Sequence, residues 1–454
     1  MSRADAIAGA TGYFDSGAFL ADLTRRVAYR TEAGNADRHA YLAEEMVPAA
    51  RRLGATATIL ENLVSDSPFL IAHRHESDDL PTVLTYGHAD VVLAQPHRWR
   101  AGLDPWRVTV EEDRWYGRGT ADNKGQHTIN LAAAEHVLGT RGRLGFNLTI
   151  LIETGEETGS VGLRELCAAH RAELVADLLI ASDGPRVAAS RPTIFLGTRG
   201  AAAFTLRVPL RERAFHSGNW GGVLRNPATI LANAIACLVD GTGRIRVPGL
   251  NPQSIPNNVR TALSTITVGG DADDPAVDTD WGHPGLTPAE RLVAWNTLEV
   301  LSLAAGNPDT PINAIPGAAH AHCQLRFVVG TDIGNLRAYL RNHLDRHGFG
   351  MVDVEVTGVM GASRTDLDHR WVRFALDSLA RTAGTPTTLL PNLGGSLPND
   401  VFTDDLGLPT IWIPHSYPAC AQHAPDEHLL GSLARQALGL MAGLWWDLGD
   451  SARD

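Results

Sequence analysis

The chain has 454 residues, 44% of them hydrophobic and 20% charged, an ordinary globular composition in a chain too long for one hydrophobic core to be the default. Its 51 acidic against 39 basic side chains leave a formal net charge of −12, which argues against nucleic acid or an anionic membrane as the main partner. The opening residues lack the apolar core of a signal peptide, and no uncharged apolar run of about 18 residues occurs, so a cytoplasmic protein is expected. Four scattered cysteines, Cys167, Cys237, Cys323 and Cys420, show no CxxC spacing and read as buried free thiols.

Helical periodicity over 16–53 is followed by the strands ATATIL and FLIAHR, then by TVLTYG, a short, β-branched apolar run with turn residues after it, which fits a buried parallel strand. KGQHTINLAAAEHVLGT (124–140) predicts a helix, LGFNLTILIE a strand, VGLRELCAAHRAEL a helix and LLIASD a strand. This alternation predicts an α/β protein with a doubly wound, mostly parallel sheet. From Phe195 the pattern changes to one long strand (FLGTRGAAAFTLRVPL), the helix NPATILANAIACLVD, the strand AHCQLRFVV, an amphipathic helix over 331–348 and the strand VDVEVTGV. We expect residues 195–360 to be an inserted α+β domain, splitting the α/β domain into 1–194 and 361–454. The Gly, Pro and Asp-rich stretch 239–313 is the least predictable part. After Gly361 the helix HRWVRFALDSLARTAG, the strand PTIWIP and a long C-terminal helix restore the α/β pattern.

Open α/β sheets gather functional groups beyond the carboxyl ends of their strands. His88 and Asp90 follow TVLTYG, Glu156 and Glu157 follow TILIE, Asp183 ends LLIAS, and His423 lies in the loop after PTIWIP, while Asp122 precedes a helix. Two imidazoles and three carboxylates suit two zinc-like divalent ions, with cobalt or manganese also accommodated. Asp122 is the best bridge, because a carboxylate has an oxygen for each metal; it can also cap the helix that follows. Asp90, two residues past His88, is placed to hold the imidazole's tautomer. Of the adjacent Glu156 and Glu157, one should bind metal and the other handle protons.

The motifs GHAD, GRGTADNKG, ETGEETGS, SDGP and QHAPDEH, in that order, resemble the dinuclear zinc exopeptidases and deacylases. That family includes carnosinase-type dipeptidases, carboxypeptidase G, acetylornithine deacetylase, succinyl-diaminopimelate desuccinylase and aminoacylases. The resemblance runs from about residue 15 to the C-terminus and points to the carnosinase-like dipeptidase branch. It implies that His88, Asp122 and Asp183 serve one ion and Asp122, Glu157 and His423 the other, with Glu156 as general base, Asp90 orienting His88, and a cis peptide between Asp122 and Asn123. AFHSGNWGGVLRNPATIL (214–231) is similar to the lid motif whose histidine, here His216, reaches the partner subunit's site, which implies a homodimer. Arg326 and the GGS turn with Gly395 and Ser396 resemble positions that hold a substrate carboxylate; Asn258 and Asn313 are weaker candidates. Ala89 departs from the aromatic usual in the GHxD motif, and His415 and His428 have no assigned role.

The expected enzyme is therefore a metal-dependent hydrolase cleaving an amide bond of a small carboxylate-bearing substrate, first a dipeptidase or exopeptidase, with an N-acyl-amino-acid deacylase or another small-amide amidohydrolase as the alternative. Its expected mechanism is attack by a bridging hydroxide that Glu156 generates from water.

Overall fold

The computed structural model describes residues 1–269 and 274–451. Its larger sheet has eight strands in the order Thr56–Leu60, Phe69–Arg74, Asn147–Glu153, Thr82–His88, Leu178–Ala181, Thr410–Trp412, Thr193–Phe195 and Thr388–Leu390. The four central strands run parallel, and the Phe69–Arg74 and Thr56–Leu60 strands extend one edge antiparallel. Asn147–Glu153 is buried along its whole length, which is why Leu148, Ile150, Leu151 and Ile152 do not alternate strictly with polar residues. Gly431–Ser451 packs against Lys124–Arg141 and against an N-terminal helix, Arg3–Asp15. That last helix is Ala- and Gly-rich and carries no apolar stripe, so periodicity does not announce it; it docks through Ala6 and Ala10.

Between residues 200 and 360 a second, antiparallel sheet forms in the order Thr297–Ala304, Ala318–Phe327, Gly200–Pro209 and Asp353–Met360. The helices Pro227–Leu238 and Leu336–Arg346 pack against it over a separate apolar cluster that includes Phe204, Leu206, Leu231, Leu325 and Leu340. The long strand expected from Phe195 is broken into Thr193–Phe195, Gly197–Thr198 and Gly200–Pro209, so it passes from one sheet to the other. A Cβ on Gly197 would meet the Ser363 carbonyl oxygen at 1.9 Å, so only glycine allows the two strands joining the sheets to lie this close.

Part of 239–313 does not belong to the second core. The helices Asn257–Leu263 and Pro288–Val293 place Val259, Leu263, Ala289 and Val293 in the cluster beneath the large sheet. The helix expected over 16–53 is several shorter ones, Ala18–Val27, Asp37–Tyr41 and Val47–Arg52 among them, interrupted where TEAGNAD turns at Gly34 with φ +79°. All four cysteines are free, and Cys237 is only half-buried. Among the described residues no helix is long and apolar enough to cross a membrane.

Candidate active site

The carboxyl ends of the parallel strands deliver the predicted ligands to one place. His88 ends its strand, and its Nε2 lies 2.9 Å from Asp122 Oδ1 and 3.5 Å from Asp183 Oδ2. The other Asp122 oxygen, Oδ2, lies 3.0 Å from His423 Nε2, which is also 3.0 Å from Glu157 Oε2. Two triads of donor atoms, His88, Asp122, Asp183 and Asp122, Glu157, His423, each lie within 4.8 Å and share Asp122.

The loop after Thr410–Trp412 aims His423 through left-handed backbone at Ala421 (φ +57°) and at His423 itself (φ +62°). Such conformations are costly for residues other than glycine, and they concentrate at functional sites. The Asp122–Asn123 peptide is cis. Asp122 does not cap the following helix; Asn123 occupies the cap position without a side-chain cap bond, and its amide instead donates to the Ser182 carbonyl at 2.8 Å. Asp122 is thereby left free to face both imidazoles.

Asp90 does more than orient His88. Its Oδ1 lies 3.3 Å from His88 Nδ1, and its two oxygens accept the backbone N–H groups of Glu156 at 3.2 Å and Glu157 at 3.0 Å. The turn Glu156–Thr158 is thus fixed by its backbone, and the two adjacent carboxylates diverge. Glu157 joins the second triad, whereas Glu156 belongs to neither and lines the cavity beside Asp122 and Asp183.

Crowding of carboxylates sets the electrostatics. Burial, then the charges of Glu157, Asp183 and Asp122, push the Glu156 carboxyl well above the usual range. Burial and Asp122 push Glu157 up to about 7. Hydrogen bonds to Asp122 and Glu157 raise His423 to about 11. Burial opposes ionisation of Asp122, yet its hydrogen bonds with His423 and His88 hold its carboxyl far below the usual range. Asp183 Oδ2 is buried with no hydrogen-bond partner. Massed negative charge and an orphaned buried oxygen, with imidazoles whose Nε2 atoms point inward, fit divalent cations.

Glu427, in QHAPDEH, is a residue that the sequence reading assigns no role. Its Oε1 accepts the backbone N–H groups of Gly119, Ala121 and Asp122 at 3.0, 3.0 and 3.1 Å, and its Oε2 pairs with buried Arg118 at 2.6 Å. This holds the GRGTADNKG loop in place. His415 is buried against Ser182 and Asn130, and His428 bonds the Tyr417 hydroxyl, so both flanking histidines have structural partners.

Glu153 gives no sign of itself in the sequence, because it reads as the last residue of an apolar strand. It is fully buried, with Tyr86 and Ser160 donating to Oε1 at 2.6 and 3.0 Å. Burial, then the Asp90 charge, raises its carboxyl from 4.5 to about 7. The folded state therefore binds its proton more tightly than the unfolded state, so this group's contribution is complete below pH 4.5 and is lost as pH rises to about 7. Above that the loss is on the order of 3 kcal/mol. Urea unfolding at about pH 5 and about pH 8 should show Glu153→Gln gaining stability relative to wild type at the higher pH only; equal gains at both would place the effect elsewhere.

Arg326, Gly395 and Ser396 line the same cavity, of about 580 Å³, as Asp122, Glu156, Asp183 and His423. Arg326 Nη1 donates to Ser396 Oγ at 2.8 Å, and Ser396 Oγ donates to the Arg199 carbonyl at 2.6 Å. Arg199, absent from the sequence reading, steadies the GGS turn through Nε to the Gly394 carbonyl at 2.9 Å. Asn258 and Asn313 do not line the cavity. Neither does His216, which is exposed on the two-residue strand Phe215–His216.

Residues 84–445 match the model of peptidase family M20/M25/M40, and the chain belongs to that family. It is thus an enzyme of a metallopeptidase family. A cysteinylglycine-S-conjugate dipeptidase of Corynebacterium striatum is 28% identical over 393 residues, 84% of this chain and 83% of the relative. A β-Ala-His dipeptidase of Mus musculus is 34% identical over 255 residues, 55% of this chain and 50% of the relative. Among solved structures, the M20 family metallo-carboxypeptidase Sso-CP2 of Sulfolobus solfataricus superposes with a TM-score of 0.83 at 24% identity, covering 95% of this chain and 99% of that one.

Proposed function

We propose that the protein is a dipeptidase that hydrolyses the amide bond of a small peptide carrying a free carboxylate. The observation that carries this reading is the shared cavity: the two metal-binding triads, Glu156, and the Arg326–Ser396 pair all line or border one space. Relatives with dipeptidase activity in their names support it.

In this reading His88, Asp122 and Asp183 hold one divalent ion and Asp122, Glu157 and His423 the other, zinc being the best match to the donors. Bound there, the ions supply Lewis-acid polarisation of the substrate carbonyl and acidify water. Glu156 takes the proton of the attacking water and returns it to the leaving amine. Arg326, held by Ser396, forks onto the substrate carboxylate, and the Gly394–Gly395 turn adds backbone N–H donors. Val187, Ile266, Val268, Leu292 and Leu393 give the cavity an apolar wall that suits an aliphatic or aromatic side chain. The same wall suits an apolar acyl group, so N-acyl amino acids are the second reading.

His216 completes the site from a second copy of the chain, with residues 195–360 as the lid and dimer-forming unit. That His216 does not line its own cavity supports this, as do exposed Trp220, Val223 and Ile312 in the segments beside it.

Hydrolysis by zinc- or manganese-loaded protein over a panel of dipeptides and N-acyl amino acids, with Glu156→Ala as blank, tests the reading. Cleavage of free-amino dipeptides is expected; cleavage of acyl substrates alone would make the enzyme a deacylase. Arg326→Ala is expected to lower kcat/KM by roughly 10–100-fold, the worth of a hydrogen-bonded ion pair, chiefly through KM. Carboxamide-ended substrates should not register the change.

A further inference from the structure

We propose that Cys237, His343 and His347 form a further metal site, for a borderline-soft divalent cation such as zinc, at the ends of two helices on the smaller sheet. Cys237 is the penultimate residue of Pro227–Leu238, while His343 lies in the last turn of Leu336–Arg346 and His347 caps it. Their donor atoms all lie within 4.8 Å of one another. Ligands on a tetrahedral zinc stand roughly 3.3–3.7 Å apart, so side-chain rotation of about 1 Å brings the three onto one ion. None of the three lines the cavity described above.

The hydrogen bonds leave one nitrogen of each imidazole free. His343 Nε2 lies 2.8 Å from the Cys237 carbonyl and His347 Nδ1 lies 2.8 Å from the His343 carbonyl. A carbonyl only accepts, so each of those ring nitrogens carries its proton, and the lone pairs fall on His343 Nδ1 and His347 Nε2. Ligating imidazoles commonly donate their second nitrogen to a backbone carbonyl in this way. His343 is 5% exposed, and its Nδ1 is buried with no partner at all.

Charge weighs both ways. Two helix C-termini converge here, and their partial negative charge favours a cation. Arg246 and Arg346 face His343 and disfavour one. Binding displaces the Cys237 proton, so the resulting thiolate offsets one unit of the ion's charge. The exposed side of His347 leaves a fourth position open to water or to a donor from another chain.

Cobalt(II) separates this site from the catalytic one, because the catalytic triads offer only nitrogen and oxygen donors. Protein loaded with cobalt should show an intense near-ultraviolet thiolate-to-metal band, absent in Cys237→Ser. Zinc titration should give one ion per chain more in wild type than in Cys237→Ser or in His347→Ala, whose exposed side chain can be removed without threatening the fold. Peptidase activity at full catalytic loading should be the same in wild type and His347→Ala. Equal zinc content in all three proteins, or a cobalt band that survives Cys237→Ser, would overturn the proposal.

Discussion

Replacing Glu156 by Gln is expected to lower kcat by about 10²–10⁴-fold, the usual contribution of a positioned general acid–base group, while leaving the metal content unchanged. Glu156 lies outside both donor triads, yet it lines the same cavity as Asp122 and Asp183. Its backbone is held by Asp90 through a bond that glutamine leaves intact. The amide side chain would keep the shape and polarity of the position and lose only the ability to take a proton. Steady-state kinetics and elemental analysis of the same preparation decide the matter. A variant that lost an ion along with its activity would make Glu156 a ligand instead.

The largest structural loss should come from Glu427→Ala. The substitution orphans the backbone N–H groups of Gly119, Ala121 and Asp122 and leaves Arg118, 1% exposed, as a buried cation without its carboxylate. Removing one partner of a buried pair typically costs about 3–5 kcal/mol. Because the Asp122 backbone is one of those released, metal affinity should fall as well, by about 10–100-fold. Glu427→Gln should be milder, since its carbonyl oxygen still accepts the N–H groups. Urea unfolding and competition with a chelator measure the two effects separately; unchanged metal affinity in a destabilised Glu427→Ala protein would confine the residue to holding the loop.

Much of the site was legible because its residues sit where apolar runs stop. TVLTYGHAD, NLTILIETGEE and LLIASDGP each announce a buried strand and then its polar end, and the structure places His88, Glu157 and Asp183 there. Glu427 was hidden for a physical reason: its work is done on backbone N–H groups more than 300 residues away, and no local pattern records that. Glu153 looked like a strand residue because it is one. In the fold, the parallel sheet and the C-terminal helix follow from periodicity, whereas Arg3–Asp15, held by small residues against Gly431–Ser451, has no stripe to read. The 239–313 stretch was opaque because its two short helices are buried by a core built from distant sequence.

Asp90 has one carboxylate and three dependents: the ring of His88 and the backbone at Glu156 and Glu157. Losses measured at these positions therefore overlap instead of adding. In a double-mutant cycle pairing Asp90→Ala with Glu156→Gln, the combined fall in turnover should be smaller than the product of the single falls. On the proposed roles, ligand geometry and proton transfer form one thermodynamic unit, and a change that reaches either through Asp90 reaches both.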